Sequence, residues 1–423
     1  MRFGAAYHRA REGVFLRNGK RVTRSRQPLD IQQTGKEAAG LQTSLHKRIV
    51  GQDHAIQQVV SVYQTYVAGM NSPGRPIGSF LFLGPTGTGK TRLVEAMAES
   101  LVGDARAMVK VDCAEFQHSH EIAKLVGSPP GYLGHRETHP LLCQETLNQY
   151  HTETVKLSFV LFDEIEKASD SLWNLLLGVL DKASLTLGDT RRVDFSQTMI
   201  FMTSNLGAAE MNTILRPSLG FSAGDQEREH QAGRLDENTT EKLSRAGTEA
   251  ARRRFTPEFM NRLDKVLVFR PLADTELRQI LNLELNLLQQ RIFASSTPTP
   301  FFFALTAAAK NFLLREGTDL KYGARHLKRA IERDVVNPLS NLISSGQVRG
   351  GDLISVDFAP ERGTLAFFRE AENVPEHAVF KLWNLAGTDG ARNHAIAAEA
   401  EMLQAAVPFL TLEHRALTAG ENS

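Results

Sequence analysis

Short apolar runs separated by amphipathic stretches make up most of the chain up to about residue 270. The runs are SFLFL (79–83), AMVKV (107–111), SFVLF (158–162), TMIFMT (198–203) and KVLVF (265–269). None alternates cleanly between apolar and polar residues, which is typical of strands covered on both faces. Between them, apolar residues recur at helical spacing, as Leu93, Met97 and Leu101 do. The pattern predicts an α/β domain over residues 41–270, with a parallel five-stranded sheet and helices on both faces.

After RPL (270–272) the pattern becomes mainly helical. The stretches DTELRQILNLELNLLQQRI and YGARHLKRAIERDVVNPLSNLISSG are predicted to be helical, and FFFAL, DLISVDF and TLAFF to be short strands. We therefore expect a small, mainly helical second domain over residues 271–370. The tail, residues 371–423, contains one helical stretch whose role the pattern does not indicate. Residues 222–240 are polar and predict a mobile loop.

The overall composition is that of an ordinary globular protein, with 42% apolar residues, 23% charged residues and a formal charge of +1. That charge argues against a surface built throughout for nucleic acid, although residues 1–40 form a basic arm. The arm lacks the apolar centre of a secretory signal, and no apolar run reaches the length of a membrane span. Cys113 and Cys143 lack paired spacing and favour a reducing compartment, so we expect a cytoplasmic protein without membrane contact.

GPTGTGKT (84–91) follows the first predicted strand and opens the next predicted helix, which is the context of a phosphate-binding P-loop. Its glycines allow backbone N–H groups to turn toward phosphate oxygens, and the helix N-terminus adds partial positive charge. In such loops the lysine reaches the β- and γ-phosphates and the last hydroxyl binds Mg²⁺. We expect ATP and Mg²⁺ as ligands, with the nucleotide held by Pro85, Thr86, Gly87, Thr88, Gly89, Lys90 and Thr91.

Acidic and polar residues at the ends of later predicted strands add groups suited to phosphate chemistry. In SFVLFDEIEKA, Asp163 is expected to hold Mg²⁺ and Glu164 to act as general base on water, although an acidic pair also commonly begins a helix. Asn205, after TMIFMTS, offers an amide to the water or to the γ-phosphate. Arg262, in FTPEFMNRLD, is either a surface charge or an arginine finger acting across a subunit boundary.

A loop rich in Gly and Pro, GSPPGYLGHRE (127–137), surrounds one aromatic residue, Tyr132. It has no helical or strand period that would bury the ring in a core. Two interpretations are open: the ring folds onto a local apolar patch, or it has a function at the tip of a mobile loop.

These motifs, in this order, resemble those of Clp-type AAA+ protein unfoldases, specifically the second ATPase module of ClpA, ClpB and ClpC. The resemblance begins at LHKRIVGQDHAIQQV and ends at YGARHLKRAIERDVVNPLS, covering about residues 41–370. It implies an AAA+ P-loop domain followed by a helical lid, assembled as a homo-hexameric ring with ATP between subunits.

The resemblance also implies roles for single residues. Ile49 and Val50 match the segment that contacts the adenine. Arg325, in YGAR, matches the lid arginine that senses the γ-phosphate. Arg262 matches the finger that is donated to the ATP of the neighbouring subunit.

Two loops match segments that contact substrate or partners in the family. The segment formed by Gly131, Tyr132, Leu133 and Gly134 matches the aromatic pore loop that grips an unfolded or tagged polypeptide in the central channel. Leu219, Gly220 and Phe221 fall where protease-coupled members carry a tripeptide that docks into a Clp-type peptidase. The alternative is that this tripeptide pins the loop to its own domain.

The chain departs from the family pattern in several places. The second pore loop, usually similar to DGRLTDGxGR, is DKASLTLGDTRR here, so a glycine near its start is lost and Leu187 replaces an acidic residue. Its contact with substrate is therefore open. Residues 138–157 are longer than the usual connection. About 40 residues precede the match, with no N-terminal substrate domain, first ATPase module or middle coiled coil.

Three functions remain to be weighed. The expected one is an ATP-dependent protein unfoldase that threads polypeptide through a hexameric pore, with a peptidase as a further partner. An AAA+ motor or loader acting on nucleic acid would use the basic arm, show salt-sensitive affinity and carry basic rather than Tyr-Gly pore loops. A nucleotide-gated scaffold with little turnover is disfavoured by the intact set of Lys90, Asp163, Glu164 and Arg262.

Overall fold

The computed structural model of the chain describes residues 30, 33–128, 139–215, 237–294, 300–317, 323–372 and 374. Up to residue 268 its elements are, in chain order, α1 (Lys36–His46), α2 (Asp53–Val67), β1 (Gly78–Leu83), α3 (Lys90–Val102), β2 (Val109–Asp112), α4 (Ala123–Val126), α5 (Gln144–Asn148), β3 (Ser158–Asp163), α6 (Asp170–Lys182), β4 (Ser184–Thr186), β5 (Arg192–Asp194), β6 (Thr198–Ser204), α7 (Ala208–Leu215), α8 (Glu237–Arg254), α9 (Pro257–Asn261) and β7 (Lys265–Val268). Among the residues so described, no helix combines the length and the apolar character needed to cross a bilayer.

The main sheet contains five parallel strands in the order β2–β3–β6–β1–β7. This confirms the predicted parallel five-stranded α/β fold. β6 lies between β3 and β1, with Phe162 opposite Met202 on one side and Phe82 opposite Thr203 on the other. Because parallel strands present their carboxyl ends at the same edge, the residues that follow β1, β3 and β6 meet there.

Successive residues of β1 enter different cores. Phe80 and Phe82 pack against Phe201 in the core formed with α1, α2 and α3. Leu81 and Leu83 point to the opposite face, into the core that includes α6 and α9. All five side chains are fully buried.

Burial on both faces of β1, β3 and β6 explains why their apolar runs do not alternate with polar residues. The prediction of burial on both faces is wrong for the edge strand β2, in which Val109 and Val111 are buried while Lys110 and Asp112 are exposed.

The second part of the chain is mainly helical, as predicted. Its elements are α10 (Asp274–Ala294), β8 (Phe302–Leu305), α11 (Ala307–Gly317), α12 (Ala324–Ile331), α13 (Asn337–Ser344), β9 (Leu353–Ala359) and β10 (Thr364–Ala371). The strands form a three-stranded sheet in the order β10–β9–β8. Leu281, Leu313, Leu327 and Val356 join the helices and this sheet in one core. The predicted boundaries at residues 40, 270 and 370 remain predictions.

The helical stretch from Ala324 to Ser344 is divided by a π-helical turn, Glu332–Val336. Pro338 is the second residue of α13. A proline has no backbone N–H to donate, and its ring crowds the carbonyl four residues earlier, which here belongs to Asp334. The wider π turn is the local adjustment that accommodates this crowding while the helical direction continues.

Several predicted segments fall largely outside the described residues. These are most of the basic arm (1–40), most of the polar stretch 222–240 and nearly all of the tail (371–423). For the described end of the polar stretch, residues 237–240, the loop prediction is wrong, because these residues form the first turn of α8. The described part of the long connection, residues 139–157, contains α5 and contributes Leu142 and Leu147 to the core beside β3.

Candidate functional site

The predicted P-loop lies between β1 and α3, at the edge where the carboxyl ends of the strands meet. Gly84 has a φ of 135°, and a Cβ there would come 2.3 Å from the carbonyl oxygen of Phe269, so glycine is required. Gly89 has a φ of 98° and directly precedes α3. The buried Thr88 hydroxyl donates to the Pro85 carbonyl at 2.9 Å. These contacts fix the path of the loop into the helix N-terminus.

Lys90, the first residue of α3, is buried at the centre of the site. Its ammonium donates to the Gly84 carbonyl at 2.6 Å, to the Pro85 carbonyl at 2.9 Å and to Asn205 Oδ1 at 3.0 Å. Burial lowers the pKa of Lys90 to about 8, and the nearby acidic side chains partly oppose that shift. At neutral pH the group is therefore a cation suited to phosphate oxygens.

Asp163 ends β3, and Glu164 follows it with a left-handed backbone conformation, φ 56°. One carboxylate oxygen of Asp163 accepts a hydrogen bond from the Thr203 hydroxyl, and the other lies 3.1 Å from Lys110 Nζ. The backbone N–H of Glu164 donates to the same Thr203 hydroxyl at 3.1 Å. The acidic pair is thus attached to the neighbouring strands β2 and β6.

Asn205 joins the P-loop to Glu164. Its Oδ1 accepts from Lys90 Nζ at 3.0 Å and from the Thr86 hydroxyl at 3.3 Å, while its Nδ2 donates to Glu164 Oε1 at 3.3 Å. Lys167 holds the second carboxylate oxygen of Glu164. The structure therefore brings Lys90, Glu164 and Asn205, which the sequence predicted separately, into one hydrogen-bonded group.

The sequence reasoning missed several residues of this site, among them Glu166 and Thr203. Glu166 Oε1 accepts from the Asn205 backbone N–H at 3.0 Å, and its Oε2 is buried with no hydrogen-bond partner among the described residues. Thr203 carries the hydroxyl shared by the acidic pair. Both lie within motifs already singled out, DEIEKA and TMIFMTSN, so their positions in those motifs were the available signal.

The oxygen groups at this edge fit Mg²⁺. Thr91 is the second residue of α3, and Asp163 ends the strand two places from β1 in the sheet. Glu166 adds a buried carboxylate oxygen that has no other partner in the described part of the chain. Hydroxyl and carboxylate oxygens are the ligands that Mg²⁺ prefers.

The segment predicted to contact adenine lies beside the P-loop. Ile49 is buried in the core under α1 and α2, and Val50 is half-buried. The buried Gln52 donates to the Thr88 carbonyl at 3.2 Å and to the Arg270 carbonyl at 2.9 Å. Gln52 therefore connects this segment to both the P-loop and the start of the second domain.

The second domain contacts the P-loop through the start of α12. Ala324 N–H donates to the Gly87 carbonyl at 3.2 Å. Gly323 has a φ of 52°, and a Cβ at this position would lie 3.0 Å from the same carbonyl oxygen. The exposed Arg325 is the next residue in the chain. Burial of Lys90 is the main cause of its lowered pKa, and the positive charge of Arg325 lowers that pKa further. The predicted lid arginine thus directly follows the residue that contacts the P-loop.

Arg262 does not join this group. Its guanidinium donates to the Leu177 carbonyl and to Glu258, both at 2.8 Å. The hydrogen bonds of its guanidinium among the described residues are to α6 and α9, and none is to the P-loop.

The predicted pore-loop residues Gly131, Tyr132, Leu133 and Gly134 lie outside the described residues, as do Leu219, Gly220 and Phe221. The second pore loop is described, and Leu187 in it is buried at 4% exposure beside Leu125 and Leu142. A leucine in place of an acidic residue therefore adds to the core here.

Two family models match the chain. Residues 75–266 match the AAA domain (Cdc48 subfamily), and residues 272–356 match the C-terminal, D2-small domain, of ClpB protein.

Curated relatives and solved structures match a similar extent of the chain. The chaperone protein ClpB of Bdellovibrio bacteriovorus is 40% identical over 319 residues, covering 75% of this chain and 33% of that protein. The ATP-dependent Clp protease ATP-binding subunit ClpC of Staphylococcus saprophyticus is 39% identical over 317 residues, covering 75% and 36%. The S. cerevisiae Hsp104:casein complex in an extended conformation gives a TM-score of 0.64 at 28% identity, covering 79% of this chain and 53% of that one. The closed state of Hsp104 with ATPγS and FITC-casein gives a TM-score of 0.63 at 28% identity, covering 79% of this chain and 52% of that one. The chain spans about a third of the length of these curated relatives and about half of each Hsp104 chain.

Proposed function

This chain belongs to the Clp-type AAA+ family, and on that premise we propose that it is an ATP-dependent protein unfoldase that threads polypeptide through a homo-hexameric ring. The observation that carries the proposal is the hydrogen-bonded group of Lys90, Asn205 and Glu164, which joins the P-loop to the acidic pair. A cation for the phosphates, a carboxylate for the water and an amide between them are groups that serve the hydrolysis of ATP.

In the proposed reaction, Lys90 binds the β- and γ-phosphates. Asn205, which lies between Lys90 and Glu164, holds the attacking water or the γ-phosphate with its amide. Glu164 accepts the proton of the water that attacks the γ-phosphorus, and the products are ADP and phosphate. Mg²⁺, held by Thr91 and Asp163, would neutralise charge on the phosphates when bound.

We assign Arg262 to the ATP of a neighbouring subunit. Its contacts with Leu177 and Glu258 hold it away from the P-loop of its own chain, which supports action in trans. Arg325 belongs to the lid of the same subunit, where Ala324 already contacts the P-loop. A ring is the arrangement in which every site receives one arginine of each kind.

Protein is the proposed substrate, and Tyr132 the residue that grips it. The relatives support this assignment, since one is named a chaperone and the Hsp104 structures contain casein.

A peptidase partner is a finer proposal, supported by the ClpC relative, which is named a subunit of the Clp protease. If wild type pulls down a Clp-type peptidase and Phe221→Ala does not, Leu219, Gly220 and Phe221 would be assigned to docking. Both cysteines are free and buried, which suits the cytoplasmic location that we propose.

The test is ATP turnover by the full chain, with and without an unfolded protein such as casein. We expect turnover that casein stimulates. Glu164→Gln should bind nucleotide but lose most turnover, because the P-loop contacts remain and the base is lost. Glu153→Gln, at an exposed position remote from the P-loop, is the matched control. Turnover near wild type in Glu164→Gln would contradict the assignment of the base.

Comparison of casein with single-stranded DNA separates the proposed function from a nucleic-acid motor. Stimulation by DNA alone, weakening with salt, would favour the motor. In an assay with a folded, tagged model protein as substrate, Tyr132→Ala should unfold less protein per ATP hydrolysed, whereas Tyr132→Phe keeps the ring and should retain most of this ratio.

A further inference from the structure

We propose that Thr203 is a positioning residue that sets the side chain of Asp163 and the backbone of Glu164 in one fixed geometry. The inference rests on the proposed function, because it concerns the two acidic groups that would serve ATP hydrolysis. Thr203 itself touches neither nucleotide nor water in this role and acts through the two acids.

The fold holds Thr203 rigidly beside the acidic pair. It lies near the end of β6, which is paired on one side with β3 and on the other with β1. Phe162 is opposite Met202, so Asp163, the next residue of β3, comes beside Thr203. At 1% exposure, Thr203 is surrounded by protein, so its hydroxyl is not exchanged between protein and water partners.

One hydroxyl serves both acids because it is donor and acceptor at once. Its proton is donated to a carboxylate oxygen of Asp163, and its oxygen accepts the N–H of Glu164 at 3.1 Å. A hydroxyl that donates to an anion becomes a better acceptor, so the two bonds strengthen each other. Removal of the hydroxyl would therefore release Asp163 and Glu164 together.

The bond to Glu164 matters because of its backbone. Glu164 has a φ of 56°, a left-handed conformation that is unfavourable for a residue with a Cβ. Such a conformation persists only where the surroundings over-determine it. The N–H bond to Thr203 is one such constraint, and the conformation carries the carboxylate to within 3.3 Å of Asn205 Nδ2. Without that constraint the backbone can relax and move the carboxylate away.

No neighbouring group on the described strands can take over this role. Ser204 is the adjacent hydroxyl, but alternation along the strand points it to the other face, where it accepts from Leu206 N–H. Lys110, at 3.1 Å from Asp163, is half-exposed, and an exposed ion pair fixes geometry only weakly. Lys110 also makes no contact with the Glu164 backbone among the bonds described.

The experiment compares Thr203→Val, which keeps the shape of the side chain without the hydroxyl, with Thr203→Ser, which keeps the hydroxyl. Ser204→Ala removes the neighbouring buried hydroxyl and is the matched control. For each full-length variant, kcat and KM for ATP are measured, together with the affinity for a fluorescent ADP with Mg²⁺ and with EDTA. A thermal unfolding curve establishes that each variant is folded.

We expect Thr203→Val to lower kcat by about 10- to 100-fold with little change in KM, the usual effect of removing a group that orients ligand residues. Its affinity for ADP in EDTA should match wild type, because the P-loop is intact, whereas the gain in affinity on adding Mg²⁺ should shrink. Thr203→Ser should keep most of the wild-type kcat and most of the gain in ADP affinity on adding Mg²⁺. Ser204→Ala should change neither of these two quantities. Thr203→Ala replaces the valine variant if the latter does not fold.

A valine variant with wild-type kcat and wild-type Mg²⁺ dependence would overturn the proposal, as would a serine variant as impaired as the valine one. If wild type itself bound ADP but did not hydrolyse ATP, the proposed function would fail separately. The Mg²⁺ dependence of ADP binding in the two variants would still decide the role of Thr203.

Discussion

Thr190, in the turn between β4 and β5, has a φ of 70°. A β-branched residue in this left-handed region is strained by about 1–2 kcal/mol relative to the same residue elsewhere. Ala183, with a φ of 45°, also carries backbone strain, but its side chain is buried, at 2% exposure. Its buried methyl contributes about 0.8 kcal/mol, which offsets much of the strain. Thr190 is exposed and has no such compensation.

We predict that Thr190→Gly stabilises the protein by about 0.5–1 kcal/mol, since relief of strain exceeds the entropy that glycine adds to the unfolded chain. Urea unfolding measures the change. The reverse substitution, Gly103→Thr, is the matched control, because Gly103 is exposed, has a φ of 89° and open space for a Cβ. It should lose about 1 kcal/mol. A Thr190→Gly variant less stable than wild type would show that strain is not the dominant effect at this turn.

At the scale of elements, the β4–β5 hairpin packs against the chain that leads into residues 129–138. Gly188 N–H donates to the Val126 carbonyl at 2.8 Å, and a Cβ on Gly188 would come 2.5 Å from the Gly127 carbonyl oxygen. Leu187 anchors the same turn in the core. The hairpin therefore supports the chain at Val126 and Gly127, just before residues 129–138.

Gly188→Ala should destabilise the protein by about 1–3 kcal/mol, because the added methyl meets backbone that cannot move as freely as a side chain. The matched control is Gly178→Ala in α6, where the position is exposed and open, and where alanine should add about 0.5–1 kcal/mol through helix propensity. Thermal unfolding distinguishes the two. If Gly188→Ala and Gly178→Ala changed the stability equally and in the same direction, a methyl group at position 188 would not clash with the Gly127 backbone.

At the scale of the whole molecule, two sets of contacts tie the second domain to the P-loop edge. Ala324 bonds to Gly87, as described above. On the other side, Arg270 forms an ion pair with Glu276 at the start of α10, and Glu276 also accepts from Ala273 N–H at 2.8 Å. Gln52 links this pair to Thr88, so the P-loop and the start of α10 are joined through Gln52 and Arg270.

Arg270→Ala should destabilise the protein by about 2 kcal/mol, measured by urea unfolding. The Glu276 side chain is only 11% exposed, and removal of its partner leaves a largely buried carboxylate unpaired. The partial exposure of Arg270 places the value below that of a fully buried pair. Glu276→Gln is the control, since it keeps an acceptor for Ala273 N–H and removes the unpaired charge.

In the double variant with Arg270→Ala, Glu276→Gln should therefore add much less than its single effect. Simple additivity of the two changes would show that Arg270 and Glu276 do not act as a pair.

The sequence by itself determined the five strands of the main sheet, the alternation of strands with helices and the P-loop, but it missed the β4–β5 hairpin. These signals are local: an apolar run without alternation requires burial on both faces, and GPTGTGKT requires glycine where the backbone takes positive φ, as Gly84 and Gly89 do. The family resemblance also predicted the helical second domain and a role for Arg325, whose neighbour Ala324 contacts Gly87 of the P-loop. Neighbouring residues carry each of these signals, so no long-range contact was needed to find them.

Only the tertiary structure decided which of these residues act together. Gln52 and Arg270 are 218 residues apart, and Asp163 and Thr203 are 40 apart, yet each pair is hydrogen-bonded. Such pairs are set by strand order and register across crossover connections, and no local spacing in the sequence encodes them. The same reason explains why Leu187 could be read as a lost acidic contact until its burial in the core was seen. Local chemistry is thus determined by neighbours in the chain, whereas geometry at the site is determined by which strands the fold places side by side.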